Sequence, residues 1–273
     1  MASKIEKLFP EELETYIADR HEKEFLIVDV RQPWEYEGGH IPGAHLIPLS
    51  DLAENPHQLP EDREIVFYCA GGSRSGAAAK LTAESGAVRK TIYNMTGGMH
   101  AWEGRELSGI PHLRIFDLKS PVENLLSTAM RLEKGALTFY TEVRKRYTNT
   151  ELAAVFSRLG EAEMQHARAV YGYLQLRQAD ANDFDPYFHS LAADILEGGI
   201  PLEDAVHTLA EMDGNSCIAV LEFALHIELS AYDLYRTVAN QIEPVESQGI
   251  FFSLSQAEKG HIQTLATAFA LCS

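Results

Sequence analysis

The feature that most constrains the fold of this chain is a pattern that occurs twice within residues 120–273. Glu133, Glu163 and His166 each recur 95 positions later. The recurring residues are Glu228, Glu258 and His261. Small and aromatic neighbours keep the same offset, in the pairs Ala136/Ala231, Tyr140/Tyr235, Phe156/Phe251, Leu159/Leu254 and Ala162/Ala257. A shared offset over so many positions indicates two copies of one helical hairpin.

Each copy predicts one helix that carries a Glu, followed by a second helix that carries Glu-x-x-His. Residues three apart share a helix face, so Glu163 and His166 present a carboxylate and an imidazole to one point. A single Glu-x-x-His is weak evidence, because exposed glutamates are common. Four carboxylates and two imidazoles among apolar neighbours would be costly to bury unless they surround cations. The doubled pattern therefore predicts two metal ions per chain in a bundle core.

The predicted ligands are Glu133, Glu163, His166, Glu228, Glu258 and His261. Carboxylate and imidazole ligands suit iron best, with manganese or zinc as alternatives.

Helix signals predict a four-helix bundle around these ligands. The segment from Ser120 to Glu123 is interpreted as a capping box with Pro121 at the first helical position. The bundle helices are predicted over about 120–147, 150–178, 215–240 and 245–271, the last after Pro244. The long connection between the second and third helices is predicted to contain a helix at 187–197 and another from Pro201. Two hairpins joined by one crossover form the ferritin-like topology.

The first half of the chain is predicted to be an α/β domain. The runs 25–30, 64–68 and 91–95 are rich in β-formers and alternate with helix-forming stretches. This alternation indicates a mostly parallel sheet with helices on both faces. The domains are predicted to span residues 1–115 and 116–273.

The chemistry of the first half centres on Cys69, which follows a buried-type strand and opens the segment Cys-Ala-Gly-Gly-Ser-Arg-Ser before a helix. Consecutive N–H groups at a helix N-terminus stabilise an anion. A thiolate, and a persulfide formed on it, would be held by these donors. The alternative is a buried structural cysteine. The glycines and Arg74 favour the reactive interpretation. The predicted binding loop is Ala70, Gly71, Gly72, Ser73 and Ser75.

Residues from about 10 to 110 resemble a single-domain rhodanese. The resemblance is carried by four segments: Asp29-Val-Arg31 with Trp34-Glu35, Gly39 to Ala44, Cys69 to Arg74, and Gly97 to Trp102. It implies that Cys69 accepts sulfane sulfur from thiosulfate or a polysulfide and passes it to a thiol. It also implies that Asp29 and Arg31 pair beneath the site, and that Arg74 orients the loop and helps to bind an anionic donor.

The second half resembles the rubrerythrin-like branch of the ferritin-like superfamily, through Glu133 to Tyr140, Glu228 to Tyr235 and the two Glu-x-x-His motifs. The resemblance implies that Glu163 and Glu258 bridge two metals. Glu133 with His166, and Glu228 with His261, would then be more terminal. Rubrerythrins carry a further Glu three residues after the third-helix ligand, where this chain has Ala231. The CxxC pairs of their rubredoxin module are also absent from the sequence.

The net charge and the cysteine count limit which partners and which cell compartment are expected. A net charge of −17 argues against nucleic acid and anionic membranes. No apolar run resembles a signal peptide or approaches the roughly 20 residues of a membrane span. The odd number of cysteines favours a reducing compartment, so a cytoplasmic location is expected. Cys217 and Cys272 are expected to be inert. Tyr140 and Tyr235 either pack in the core or bond a ligand carboxylate.

Together these observations predict a sulfurtransferase that works through a Cys69 persulfide, joined to a carboxylate-bridged di-iron-type domain. The metal pair is expected to act on O₂ or peroxide, as an oxidase or peroxidase. The alternative is a persulfide- and iron-binding sensor or storage protein without turnover at the metals. The expected partners are a sulfane-sulfur donor, a thiol acceptor and a second copy of the chain that pairs through the helical bundle.

Overall fold

The chain divides into two compact units, Met1–Ile110 and Pro111–Ser273. The computed structural model describes residues 3–147, 150–177, 183–212, 216–243 and 245–272. The division lies close to the predicted boundary after residue 115. Leu113 and Ile115 pack against the core of the second unit, which assigns this stretch to the helical half.

The first unit is built on a five-stranded parallel sheet, as the alternation of strand and helix signals predicts. Its strands are β1 (Ile5–Leu8), β2 (Phe25–Asp29), β3 (His45–Leu46), β4 (Glu64–Tyr68) and β5 (Ile92–Met95), in the order β1-β5-β4-β2-β3. Its helices are α1 (Pro10–Ala18), α2 (Pro33–Gly38), α3 (Leu49–Glu54) and α4 (Ser73–Ser85). The central strands β2 and β4 are almost wholly buried and feed apolar clusters on both faces of the sheet. The α/β prediction is confirmed, although β1 and β3 at the sheet edges were not predicted.

The second unit is a helical bundle in which α5 packs along α6 and α9 packs along α10. Its helices are α5 (Val122–Arg146), α6 (Thr150–Arg177), α7 (Phe184–Ser190), α8 (Leu202–Glu211), α9 (Cys217–Gln241) and α10 (Val245–Ala268). The predicted ferritin-like arrangement of two hairpins and one crossover is confirmed. Residues 178, 215 and 244, which the sequence placed at helix ends, lie outside the described residues. No helix of the described ranges is long and apolar enough to cross a membrane.

The start of α5 differs from the prediction. The helix begins at Val122, and Pro121 is its N-cap. The Ser120 hydroxyl donates to the Asp117 carboxylate at 2.8 Å and caps no helical N–H. The capping box is therefore wrong, and Pro121, which fixes φ and donates no N–H, marks the boundary instead.

The crossover also differs from the prediction. The predicted helix at 187–197 is wrong, because α7 ends at Ser190 and the chain then runs extended to a single turn of 3₁₀ helix at Glu197–Gly199. An antiparallel bridge between Ile195 and Pro201 closes this turn. Gly198 and Gly199 both have positive φ, +72° and +90°, a backbone that other residues rarely adopt.

The crossover turn is fastened to α5. Asp194 accepts from the Arg131 guanidinium, with Nε at 2.7 Å, and Lys134 donates to three backbone carbonyls of the segment 188–191. Gly135 lets the turn approach closely, because a Cβ there would lie 1.9 Å from the Ile195 carbonyl oxygen. These contacts bring residue 197 into the bundle core, where it is fully buried.

Two of the three cysteines are paired with each other, a pairing that the sequence analysis did not predict. Cys217 at the start of α9 forms a disulfide with Cys272, with their Cα atoms 5.5 Å apart. The pair links residues far apart in sequence but adjacent in the bundle. The cysteine count therefore gives no support to a reducing compartment. Cys69 remains as a free, buried thiol.

We expect Gly135→Ala to destabilise the helical unit by about 1–3 kcal/mol, because the added methyl group overlaps the crossover backbone. Gly172→Ala on α6 is the matched control. It adds a methyl group where no atom lies within 4 Å, and it should stabilise the unit by about 0.5–1 kcal/mol. Thermal or denaturant unfolding measures both changes. Equal effects of the two substitutions would contradict the close approach of the crossover to α5.

Candidate functional site

The loop that carries Cys69 lies between the carboxyl end of β4 and the N-terminus of α4. Gly72 is the N-cap of α4 and turns the chain with φ +93°. The loop rests on the segment 97–100, where the N–H of Met99 donates to the Cys69 carbonyl at 2.8 Å. Gly98 is required at this contact, because a Cβ there would lie 2.1 Å from the same carbonyl oxygen. The predicted glycines thus fix the loop from two sides.

The Cys69 sulfur lies among hydrogen-bond donors. Its Sγ accepts the Gly72 N–H at 3.1 Å and lies 3.5 Å from the Ser75 hydroxyl. Burial raises the pKa of the thiol, but the Ser75 hydroxyl and the amides of Ser75, Gly72 and Gly71 outweigh it, so the pKa lies below its ordinary value. The arrangement stabilises a thiolate without a cation in contact with the sulfur.

The remaining loop residues face outwards or support the turn. Gly71 and Ser73 are exposed, whereas Ala70 and Gly72 are half-buried. The Ala70 carbonyl accepts the His100 N–H at 2.9 Å. The structure therefore brings all the predicted loop residues around one sulfur, with Ser75 as a direct partner.

Arg74 is bound by a partner that the sequence analysis did not assign to it. Its two terminal nitrogens donate to the two Glu35 oxygens, each at 2.7 Å. The Arg74 hydrogen bond lowers the pKa of Glu35 to about 2, so this carboxylate stays charged. The pair supports the orienting role of Arg74 and leaves its charge balanced. The expected pair beneath the site is present, with Arg31 Nε 2.9 Å from Asp29 Oδ2.

In the helical unit, the repeated residues meet at the centre of the bundle. His166 Nδ1 lies 3.2 Å from Glu133 and 3.0 Å from Glu163. His261 Nδ1 lies 3.2 Å from Glu228, 3.2 Å from Glu163 and 3.0 Å from Glu258. The two imidazoles stack with their centroids 5.0 Å apart. Glu163 and Glu258 each approach both imidazoles, whereas Glu133 and Glu228 each approach one.

Two tyrosines tie the hairpins together through these carboxylates. Tyr235 on α9 donates to Glu133 on α5 at 2.6 Å, and Tyr140 on α5 donates to Glu228 on α9. Each hydroxyl thus holds the carboxylate of the opposite copy. Of the two roles left open by the sequence, the structure shows the hydrogen bond to a ligand carboxylate.

The charges of this cluster favour cations. Glu133, Glu163, Glu228 and Glu258 are fully buried. Burial lowers the pKa of His166, but hydrogen bonds to Glu133 and Glu163 raise it to about 11. Oxygen and nitrogen donors with surplus negative charge fit two transition-metal ions, which would displace the imidazole protons on binding.

A fifth carboxylate, which the sequence analysis missed, also lies in this cluster. Glu197 in the crossover is fully buried, and a ligand atom of it lies within 4.8 Å of one from each of Glu133, Glu163 and Glu258. Burial and these neighbouring charges hold its pKa well above the ordinary value. The sequence analysis placed residue 197 at the end of a predicted helix outside the repeat, so this carboxylate was not considered as a ligand. The Gly198-Gly199 pair, which breaks a helix, was the available signal.

A groove leads from the bundle surface to the cluster. It encloses about 470 Å³ between α6 and α10, and His261 forms part of its wall. The other lining residues are mostly apolar or small, namely Val155, Arg158, Leu159, Ala162, Thr264, Thr267, Ala268 and Leu271. A small, weakly polar molecule could reach the imidazole by this route.

Comparisons with known proteins match both halves. Residues 10–105 match the Rhodanese-like domain family, and residues 124–194 match the Rubrerythrin family. The chain is 41% identical over 83 residues to a putative sulfurtransferase, YtwF, of Bacillus subtilis, which covers 30% of the chain and 78% of YtwF. It is 42% identical over 79 residues to the uncharacterized protein YqhL of the same organism, which covers 29% of the chain and 61% of YqhL.

The chain spans about half the length of several curated relatives it matches. Among solved structures, a rhodanese-like domain protein from Staphylococcus aureus shares 31% identity, with a TM-score of 0.33, over 37% of this chain and 93% of that one.

We expect Ser75→Ala to raise the pKa of the Cys69 thiol, because the substitution removes the strongest hydrogen bond that lowers it. The pH at which iodoacetamide alkylates Cys69 should then move upwards. Ser73→Ala changes an exposed hydroxyl of the same loop and should leave the profile unchanged. The same profile for Ser75→Ala and wild type would contradict the role of the hydroxyl.

Proposed function

The chain belongs to the rhodanese-like family and carries a rubrerythrin-type helical domain, and from this premise we propose that it is a sulfurtransferase coupled to a di-iron centre with redox activity toward O₂ or peroxide. The sulfur-transfer half is proposed to work through Cys69. The observation that carries this assignment is the position of the Cys69 sulfur at the N-terminus of α4, where it accepts the Gly72 N–H and contacts the Ser75 hydroxyl.

In the proposed reaction the Cys69 thiolate attacks the outer sulfur of thiosulfate. The sulfur–sulfur bond of the donor breaks, sulfite leaves with its electron pair, and Cys69 becomes a persulfide. A thiolate or cyanide then attacks the outer sulfur, and the Cys69 thiolate leaves. The charge stays on sulfur throughout, so the loop amides that lower the pKa of the thiol also stabilise the persulfide anion.

The loop backbone supports the same proposal for the bound donor. Gly71 and Ser73 are exposed beside the buried sulfur, so an anion that approaches Cys69 meets N–H groups of the turn and of the first turn of α4. Arg74 keeps this turn in place through Glu35. The donor is thus proposed to be bound mainly by backbone dipoles.

In the helical half, Glu163 and Glu258, which each approach both imidazoles, would help to hold both of two iron ions. Glu133 with His166 would hold one of these ions, and Glu228 with His261 the other. When bound, the iron pair would supply one-electron redox chemistry. Tyr140 and Tyr235 hold the terminal carboxylates in position by hydrogen bonds. The contacts of each imidazole with carboxylates of both hairpins support this division of roles.

The groove between α6 and α10 favours turnover at the metals over storage alone. It reaches His261 and is lined mainly by small or apolar side chains, which suits O₂ or a peroxide. A store or sensor without turnover needs no such route for a second substrate. Oxidation of the ferrous protein by added peroxide, faster than that of the same concentration of free Fe²⁺ in the same buffer, is the corresponding measurement.

Cys69→Ser should reduce thiosulfate:cyanide sulfur transfer to background, because a hydroxyl cannot carry the sulfane sulfur. Cys217→Ser combined with Cys272→Ser removes the disulfide and should leave transfer near the wild-type rate. Thiocyanate formation measures both. Transfer that persists in Cys69→Ser would overturn the assignment of the nucleophile.

Glu163→Ala should lower the content of both metal ions, because Glu163 contacts both imidazoles. His166→Ala should weaken mainly the ion on the Glu133 side. Both variants should also lose part of the thermal stabilisation that iron provides, roughly 2.7 kcal/mol at a metal concentration 100 times the Kd. Glu161→Ala, an exposed position on the same helix, is the control.

Elemental analysis and thermal melts measure these effects. Two iron ions per chain and unchanged stability in Glu163→Ala would place the dinuclear site elsewhere.

A further inference from the structure

The crossover turn delivers a carboxylate to a place where the repeated helices provide none. The repeat gives each hairpin one Glu, one Glu-x-x-His and one tyrosine. Glu197 lies outside that repeat, in the crossover that joins the two hairpins. Its carboxylate nevertheless meets Glu133, Glu163 and Glu258.

The backbone around Glu197 is shaped for this approach. Gly198 packs against α9 so closely that a Cβ would lie 2.4 Å from the Ser230 Cβ. On its other side, the turn packs against Gly135 of α5 through the Ile195 carbonyl. Two positions without a side chain, Gly135 and Gly198, therefore allow the turn to enter between α5 and α9. At Gly199 a Cβ would lie 2.6 Å from the His112 Cβ, so the turn also packs closely against the segment before α5. Such conformational restriction has a cost in stability and points to a role for the residue it positions.

The space that Glu197 enters lies beside a small residue of α9. Ala231 is fully buried and sits three residues after Glu228, on the same helix face. The crossover turn packs against the α9 backbone here, since the Ala231 amide nitrogen lies 3.3 Å from the position of a Cβ on Gly198.

Glu197 forms no ion pair within the described residues that would compensate its burial in a structural role. Both of its oxygens are buried and have no hydrogen bond within the described residues. Its nearest charged groups are other carboxylates, which repel it. An isolated carboxylate in this environment is expensive unless it contacts a cation.

We propose that Glu197 is a ligand of the metal ion beside Glu133, so that five carboxylates and two imidazoles surround the two ions. This inference rests on the proposed dinuclear centre and adds a ligand to it. The extra ligand makes the two ions inequivalent, because the repeat gives the ion beside Glu228 no counterpart of Glu197. The Glu133 side should therefore bind its ion more tightly and carry more negative charge.

The test is anaerobic titration of the metal-free full-length chain with Fe²⁺, followed by elemental analysis and thermal melts. Wild type should bind two ions in two steps. Glu197→Gln should bind the tighter ion at least about 10-fold more weakly. The same variant without metal should melt about 2–4 °C higher than metal-free wild type, because an amide replaces a repelled buried carboxylate. A structural role alone would not give opposite signs in the two states.

Two further variants complete the experiment. Glu203→Gln, at an exposed position of α8, should match wild type in both states. Glu197→Asp keeps the charge but withdraws the carboxylate, and it should also lose affinity for one ion. Wild-type affinity in Glu197→Gln or in Glu197→Asp would overturn ligation by Glu197 while leaving the dinuclear centre intact. Failure of both wild type and Glu203→Gln to bind Fe²⁺ would overturn the dinuclear centre and this ligand with it.

Discussion

The burial of several carboxylates at one point is the constraint on which the helical unit depends. Five glutamates lie in the bundle core without exposure to solvent. Like charges at such distances repel strongly in a medium of low dielectric constant. Two imidazoles and two tyrosine hydroxyls contact these carboxylates and offset part of the repulsion. Positive charge at the centre stabilises such a bundle, and metal ions would supply it in concentrated form.

The first unit presents a different electrostatic problem. Here a single thiol with a lowered pKa is buried, and no cationic side chain bonds its sulfur within the described part of the loop. Arg74, the nearest candidate, is held by Glu35 at both ends of its guanidinium. Backbone N–H groups and one hydroxyl provide the stabilisation instead, and they are fixed before any substrate binds. Such preorganised dipoles suit a sulfur that must accept and release charge repeatedly.

The duplication in the helical unit is approximate, and its exception has a clear origin. The tyrosine-to-glutamate hydrogen bonds cross between hairpins in both directions, as a two-fold relation requires. A chain that joins two hairpins by one crossover cannot repeat that crossover. Any side chain that the crossover contributes to the core therefore has no counterpart in the repeat. Glu197 is such a side chain, and it lies close to Glu133, Glu163 and Glu258.

The sequence alone determined the α/β and ferritin-like classes, the Cys69 loop and the six repeated residues that meet in the bundle core. These features arise from local spacing: helix periodicity sets which residues share a face, and a Gly-rich turn after a strand sets the position of a sulfur. The edge strands β1 and β3 are too short to show a residue pattern that predicts a strand.

Tertiary structure decided the features that depend on residues distant in the chain. The Arg74–Glu35 pair, the Cys217–Cys272 disulfide and the entry of Glu197 into the core each join segments that no local pattern connects. For Glu197 the helical signal of residues 187–197 was overridden by packing, because Gly135, Gly198 and Ala231 provide a space that only the assembled helices define.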